Sequence, residues 1–303
     1  MSDKPKVWLN NEIIDWEQAQ VPVLSHGLSR GSGIFEAFGT HVVHGDVVTF
    51  RMDAHMKRMA QTLKLLEMEI AYSSDEIKQA VARICEVNRI ERSIIKVMGY
   101  WGEEAIINLV LRSPLDIAIF TIPDSPELGL DNDVPITACL SRWNKPDPGA
   151  VPVMAKACAN YLPGYLVRKD ANDRGYDLGL TLDAAGNVAE GSIESVYIVK
   201  DGVLKTPPLG NILASVTRDS ILAASKAGGL PVEETTLEKE DLFTADEIFS
   251  CHTGIKVIPI AKFEDKELPA PGPVTREVSM MMKKILAGED ERFSGWLEKL
   301  YSL

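Results

Sequence analysis

The sequence predicts an α/β protein of two domains, and three observations carry that expectation. At 303 residues the chain is long enough to bury more than one core. β-rich runs alternate with helical stripes along most of its length. The stretch Pro123 to Asp133 interrupts them with Pro-Asp-Ser-Pro and Gly-Leu-Asp-Asn-Asp, the composition of a linker. The expected division is residues 1–122, a linker at 123–133, and residues 134–303.

Taken in order, residues 6–14 read as a hairpin turning at Asn10-Asn11. Gly31-x-Gly33 lacks the third glycine of a dinucleotide fingerprint, so these glycines are expected to form a tight loop feeding a strand from Ile34. His41 and His44 lie on a strand and its turn, three apart, and point to opposite faces; a shared metal is not expected. Phe50 to Leu66 is helical, with Met52, Met56, Met59, Leu63 and Leu66 on one stripe and Arg58 beside it. Ser73-x-x-Glu76 is a capping box that opens a helix running to about Asn88. Ile94 to Tyr100, Ala105 to Leu111 and Asp116 to Ile122 read as strands. The first domain is thus expected to lay two helices on a mostly antiparallel sheet.

In the second domain, Ile136 to Leu140 is a strand, Trp143 to Gly149 a loop, and Asn160 to Arg174 a helix stopped by Gly175. Strands follow at Leu178 to Leu182 and Ser195 to Lys200, with turns at Ala185-Gly186-Asn187 and Asp201-Gly202. A loop from Thr206-Pro207-Pro208 leads to a helix starting near Val216. Short strands at Glu247 to Ser250 and Val257 to Ile260 flank Cys251-His252-Thr253-Gly254, and Thr275 to Ala287 is a closing helix.

A hydrophobic content of 45% with 25% charged residues is ordinary for a globular protein. The net charge of −12 argues against nucleic acid, whose phosphates need clustered Lys and Arg. No apolar run approaches the roughly 20 residues that span a bilayer. Met1-Ser2-Asp3-Lys4-Pro5 lacks the apolar core of a signal peptide, so a cytoplasmic enzyme is expected. Cys85, Cys139, Cys158 and Cys251 are scattered with no C-x-x-C pair, which disfavours structural zinc and a disulfide framework.

The chemistry centres on Val153-Met154-Ala155-Lys156-Ala157-Cys158-Ala159-Asn160-Tyr161-Leu162. Lys156 stands among small and apolar neighbours with no carboxylate within several residues. Poor solvation would lower its pKa toward a free amine, the form that attacks carbonyls in Schiff-base lysines. A surface lysine snorkelling over small side chains is the other reading of the decapeptide. If Lys156 holds pyridoxal phosphate, a carboxylate should face the ring nitrogen, and Glu190 is the candidate; a Glu before a Gly-Ser turn, taken alone, is more often a solvated loop residue. The phosphate needs N–H donors, which the helix starting at Val216-Thr217 could supply, and that helix could also be a plain helix start. Thr253-Gly254 offers a hydroxyl and N–H groups. Arg58 is a candidate cationic partner.

The chain resembles the class IV, fold-type IV pyridoxal-phosphate aminotransferases, most of all the branched-chain amino acid aminotransferases. The resemblance rests on His55-Met56-x-Arg58-Met59, Ser141-x-Trp143-Asn144, Ala155-Lys156-Ala157-x-x-Asn160-Tyr161-Leu162 and Glu190-Gly191. It continues through Asp201-Gly202-Val203-Leu204-x-Thr206-Pro207-Pro208, Thr217-Arg218-Asp219, Ala245-Asp246-Glu247-x-Phe249, Gly272-Pro273-Val274-Thr275 and Gly295-Trp296-Leu297. It implies a small α/β domain, a larger pseudo-barrel domain, a site between them and at least a homodimer. It implies transamination between a branched-chain L-amino acid and 2-oxoglutarate. Lys156 would bind the cofactor and shuttle the proton, Glu190 would face the pyridinium nitrogen and Tyr161 the phenolic oxygen. Arg58, Val216, Thr217 and Thr253 would hold the phosphate, with Leu213 against the ring. Arg30, Phe35, Lys96, Thr253 and Gly254 would surround the substrate.

The chain departs from the family where branched-chain enzymes usually carry tyrosines and an arginine. It has Arg30 in the first loop and Ile94-Ile95-Lys96 on the strand. Arg30 and Lys96 are therefore expected to form a cationic patch for the carboxylate of glutamate or 2-oxoglutarate; Lys96 pointing to solvent is the alternative. Leu213-Ala214-Ser215 replaces the usual Leu-Pro-Gly, and Ile193 replaces a small residue. A lysine at position 96 also resembles aminodeoxychorismate lyases, and D-amino acid aminotransferases share the fold; both usually lack the Gly-Trp-Leu tail. A cofactor-free binding protein is the alternative from another class, against which Lys156 and Glu190 both speak.

Overall fold

A computed structural model describes residues 4–126 and 128–303. Met1–Asp3, the head of the stretch read for a leader, and Glu127, inside the expected linker, lie outside the described residues. The chain divides into two compact units, one of Met1–Leu128, Ala155–Ala159 and Ile285–Leu303, the other of Gly129–Met154 and Asn160–Lys284. This differs from the linear division 1–122, 123–133 and 134–303 in two places, because the segment around Lys156 and the C-terminal tail both pack with the first unit.

The first unit begins with the hairpin β1 (Val7–Leu9) and β2 (Glu12–Ile14), followed by the short helix α1 (His26–Arg30). Gly31, at φ +68°, ends α1 in the left-handed region that glycine tolerates and turns the chain toward β3 (Ile34–Val43). β4 (Asp46–Phe50), α2 (Met52–Leu66), α3 (Ser74–Val87), β5 (Ser93–Tyr100) and β6 (Asp116–Pro123) follow. Met52, Met56 and Met59 of α2 are buried as the stripe requires, and Arg58 is buried with them. The expected box caps α3: Ser73 Oγ accepts the Glu76 N–H at 3.3 Å, and Glu76 accepts the Ser73 N–H at 2.7 Å. Ile77, Val81 and Ile84 of α3 join Phe38, Ile95, Val97, Ile117 and Ile119 of the sheet in one core.

Ala105 to Leu111, expected as a strand, forms a loop instead. Both edges of β5 are already occupied, by β3 and β6, and β6 pairs onward with β1, so the run has no free edge beside it. Side chains hold the loop in place of a ladder: Arg30 Nη2 donates to the Ile106 carbonyl at 3.0 Å, and His26 Nε2 lies 3.2 Å from that of Leu109.

The second unit contains β7 (Ile136–Leu140), α4 (Tyr161–Asp173), β8 (Leu178–Leu182), β9 (Val188–Gly191), β10 (Ser195–Lys200) and β11 (Val203–Thr206). These are followed by α5 (Val216–Ala227), β12 (Val232–Glu234), α6 (Lys239–Thr244), β13 (Glu247–Cys251), β14 (Ile258–Phe263), β15 (Lys266–Glu267) and α7 (Pro273–Leu286). The sheet order is β12-β11-β10-β13-β14-β7-β8-β9, with β15 on β14. β7 runs parallel to both β8 and β14, while the β10, β13 and β9 pairings are antiparallel. α4 approaches the turn after β9 so closely that a Cβ on Gly164 would meet the Ser192 carbonyl oxygen at 2.3 Å, which is why a glycine stands there.

After α7 the chain returns to the first unit, where β16 (Leu297–Ser302) pairs antiparallel with β4. That completes an antiparallel sheet of order β16-β4-β3-β5-β6-β1-β2. The architecture is mixed α/β. Among the described residues no helix is long and apolar enough to cross a membrane.

Candidate active site

Lys156 belongs to a short strap that is tied by its backbone. The Lys156 N–H donates to Thr62 Oγ1 on α2 at 3.0 Å, and its carbonyl accepts the Phe35 N–H of β3 at 3.0 Å. The Cys158 N–H donates to the Gly33 carbonyl at 2.7 Å. A Cβ at Gly33 would stand 3.1 Å from Cys158 Sγ, so the second glycine of the Gly31-x-Gly33 pair makes room for the strap. The lysine is only 8% exposed. Its Nζ lies 4.7 Å from the centre of the Phe35 ring, and the Lys96 Nζ lies at the same distance from that ring. Burial pushes the Cys158 thiol pKa up, against the pull of the Lys96 and Lys156 charges.

Beside this strap lies a buried charge cluster that the sequence reading did not assign. Glu36 is fully buried on β3 and accepts two bonds from Arg58, Nε to Oε1 at 2.8 Å and Nη2 to Oε2 at 2.6 Å. His55 Nδ1 lies 2.7 Å from Glu36 Oε2, a position that makes it the donor, and its ring tilts over Phe38. Burial works to raise the Glu36 carboxyl, but the charge and bonds of Arg58, with those of His55, outweigh it and bring the pKa to about 2. Burial drives the His55 pKa down to about 4, against the pull of Glu36. The side-on grip fixes the plane of the guanidinium. A signal for it was present in Ile34-x-Glu36-x-Phe38, where period two puts a carboxylate on the apolar face of a strand.

In the second unit, Glu190 is 6% exposed on β9, and its carbonyl accepts the Thr181 hydroxyl at 2.7 Å. The Leu213 N–H donates to Glu190 Oε2 at 3.3 Å, and the Lys145 ammonium pairs with Oε1. Lys145 carried no signal beyond its place in the loop after Trp143-Asn144. The Ser215 hydroxyl caps α5 by accepting the Arg218 N–H at 3.2 Å, and Val216 and Thr217 in the first turn are buried. Arg218 Nη2 ties the helix to the preceding loop through the Pro207 carbonyl at 2.6 Å. Tyr161 opens α4 and is partly buried. The Gly254 N–H, expected to meet a substrate carboxylate, donates to His252 Nδ1 at 3.0 Å, and Lys256 Nζ donates to the Thr253 carbonyl.

The residues expected to act together thus fall into groups. Lys156, Phe35 and Lys96 converge in the first unit, and Arg58 is held by Glu36. Glu190 and Leu213 are bonded in the second. Arg30, exposed on α1, donates to the carbonyls of Ser29 and Ile106, at 3.3 and 3.0 Å.

The amino-transferase class IV family model matches residues 33–263, and the chain belongs to that family. The branched-chain-amino-acid aminotransferase of Salmonella typhimurium is 33% identical over 301 residues, 98% of this chain and 97% of that one. A branched-chain aminotransferase from Thermoproteus uzoniensis, solved with norvaline, superposes with a TM-score of 0.93 at 32% identity, covering 98% of this chain and 99% of that one. The branched-chain amino acid aminotransferase from Thermobaculum terrenum, solved in its PLP-bound holo-form, gives 0.92 at 30% identity over 99% of each chain.

The buried cluster carries a pH signature. His55 is depressed from 6.5 to about 4, so as pH falls through this window the unfolded chain takes up a proton that the folded protein refuses, and stability drops. Glu36 extends the loss below pH 4.5, staying ionised in the folded state to about 2. Each such group contributes a slope of at most about 1.4 kcal/mol per pH unit. Denaturation midpoints measured from pH 6.5 to 4.5 should fall less steeply in His55→Gln, which keeps a donor toward Glu36 without a titrating ring. An unchanged slope would remove His55 from this account.

Proposed function

We propose that the protein is a cytoplasmic, pyridoxal-phosphate-dependent aminotransferase that exchanges an amino group between a branched-chain L-amino acid and 2-oxoglutarate. The observation that carries this reading is Lys156, a buried amine strapped to β3 and α2 in a chain of the class IV family. The donor set fits the cofactor. A buried amine suits its aldehyde, a buried carboxylate at Glu190 its ring nitrogen, and a fixed guanidinium with a helix N-terminus its phosphate.

When bound, pyridoxal phosphate supplies a conjugated ring that draws electrons from the substrate α-carbon. The protein's part is to hold and move protons. Lys156 would hold the cofactor through Nζ and, once released, would take the proton from the substrate α-carbon, as an amine kept from water can do. Glu190 would hold the proton on the ring nitrogen, and Tyr161 would donate to the phenolic oxygen. Arg58, Val216, Thr217 and Thr253 would bind the phosphate, and Leu213 would pack on the ring. Glu36 and His55 hold Arg58 in one orientation, so no rotamer freedom is lost when the phosphate arrives. Phe35 and Lys96 border the substrate, and Lys96 receives the side-chain carboxylate of glutamate or 2-oxoglutarate. Arg30 joins it with the guanidinium donors not given to Ser29 and Ile106. A substrate carboxylate at Thr253 and Gly254 takes over the N–H that His252 now accepts.

The reading includes a homodimer. Ile106, Ile107, Leu109 and Val110 are each more than 70% exposed on a loop anchored by His26 and Arg30, and Val23 and Leu28 are exposed in the same unit. An apolar surface of this kind suits a second copy. Sedimentation velocity should give a dimer that Ile107→Asp shifts toward monomer, and a monomeric parent protein would exclude this part.

For the activity itself, Lys156→Ala should lower kcat by about a hundred- to ten-thousand-fold with its far-ultraviolet circular dichroism intact. In single half-reactions, L-leucine, L-valine and L-glutamate should each discharge the visible absorbance of the bound cofactor. Conversion by D-alanine alone, or pyruvate release from aminodeoxychorismate, would replace the substrate assignment.

A further inference from the structure

Glu190 is paired before any cofactor is considered. Lys145 places its ammonium on Oε1 while the Leu213 N–H reaches Oε2, and the side chains of Lys145 and Glu190 are only 15% and 8% exposed. Both partners are fixed to β8. The Lys145 N–H donates to the Leu182 carbonyl at 2.8 Å, and Thr181 holds the Glu190 carbonyl. A lysine on a surface loop ordinarily extends into water. Turning this one inward costs side-chain entropy and desolvates two charges, an exchange that rarely adds stability. The neighbouring charges have their own partners. Glu194 pairs with Arg168, and Asp183 accepts from Asn211 and from the backbone of Ala185 and Asn187. Asp147 of the Lys145 loop accepts the Gly149 N–H.

We propose that Lys145 is a positioning residue that keeps Glu190 ionised and oriented, and so controls its readiness to receive a protonated ring nitrogen. The proposal rests on the reading of Glu190 as the partner of the cofactor ring. A buried carboxylate with no cation drifts toward its neutral acid, which cannot stabilise an N–H cation. The Lys145 ammonium supplies Glu190 with a cation from within the protein. A ring nitrogen bound there would share the carboxylate with Lys145, and Glu190 would keep its rotamer.

The test is the affinity of cofactor-stripped protein for pyridoxal phosphate, titrated by protein fluorescence from pH 6 to pH 9. The proteins compared are the parent, Lys145→Met, Lys145→Arg and Glu190→Gln. The ratio of the Lys145→Met affinity to the parent's should fall by about tenfold toward pH 6 and recover toward pH 9. Lys145→Arg should restore the parent profile. A loss in Lys145→Met that is equal at every pH would mark a purely structural role and overturn the proposal, as would failure of Lys145→Arg to rescue. Glu190→Gln separates the two layers. If it binds like the parent throughout, the assignment of Glu190 itself fails. If it weakens binding while Lys145→Met stays parallel to the parent, only the Lys145 inference fails.

Discussion

Two backbone hydrogen bonds hold Lys156, and the candidate site depends on them. One runs to the Thr62 hydroxyl on α2 and the other from the Phe35 N–H on β3. They draw residues 155–159 into the first unit, although the chain on either side of them folds into the second. An ammonium resists burial, so a lysine is kept from water only where the backbone leaves it no other course. Phe35 and the close approach at Gly33 complete that confinement.

Several other buried charges are matched and held. Arg58 lies side-on to Glu36 with His55 behind it, Lys145 meets Glu190, and Arg168 meets Glu194. At Glu247 the carboxylate accepts the Val274 and Thr275 N–H groups at the start of α7. Such pairs are poor sources of net stability, because desolvation cancels most of their attraction. What they supply is orientation. A guanidinium already fixed by a carboxylate, or a carboxylate already paired with an ammonium, is ready for a charged ligand without reorganisation.

Much of this was legible in the sequence where local physics decides. The methionine stripe of α2 and the Ser73–Glu76 box of α3 follow from spacing alone, and both are present. Lys156 was marked by the absence of carboxylates nearby. Legibility ended where the tertiary context decides. Ala105 to Leu111 has strand composition, but β5 and β6 on either side of it in the chain are already paired on both edges, whereas β16 pairs with β4. The period of β3 already put Glu36 on its apolar face, yet its partners Arg58 and His55 lie a full element away in sequence. The bond of Arg30 to the distant Ile106 carbonyl leaves no local trace in the sequence.

The most direct measurement of the central claim is covalent. The purified protein would be saturated with pyridoxal phosphate, reduced with borohydride, digested and mapped by mass spectrometry. The account predicts one dominant pyridoxyl label, on Lys156, lost when excess substrate is added before reduction. A label found instead on Lys96, Lys145 or Lys256, or spread over surface lysines with Lys156 unmodified, would contradict it.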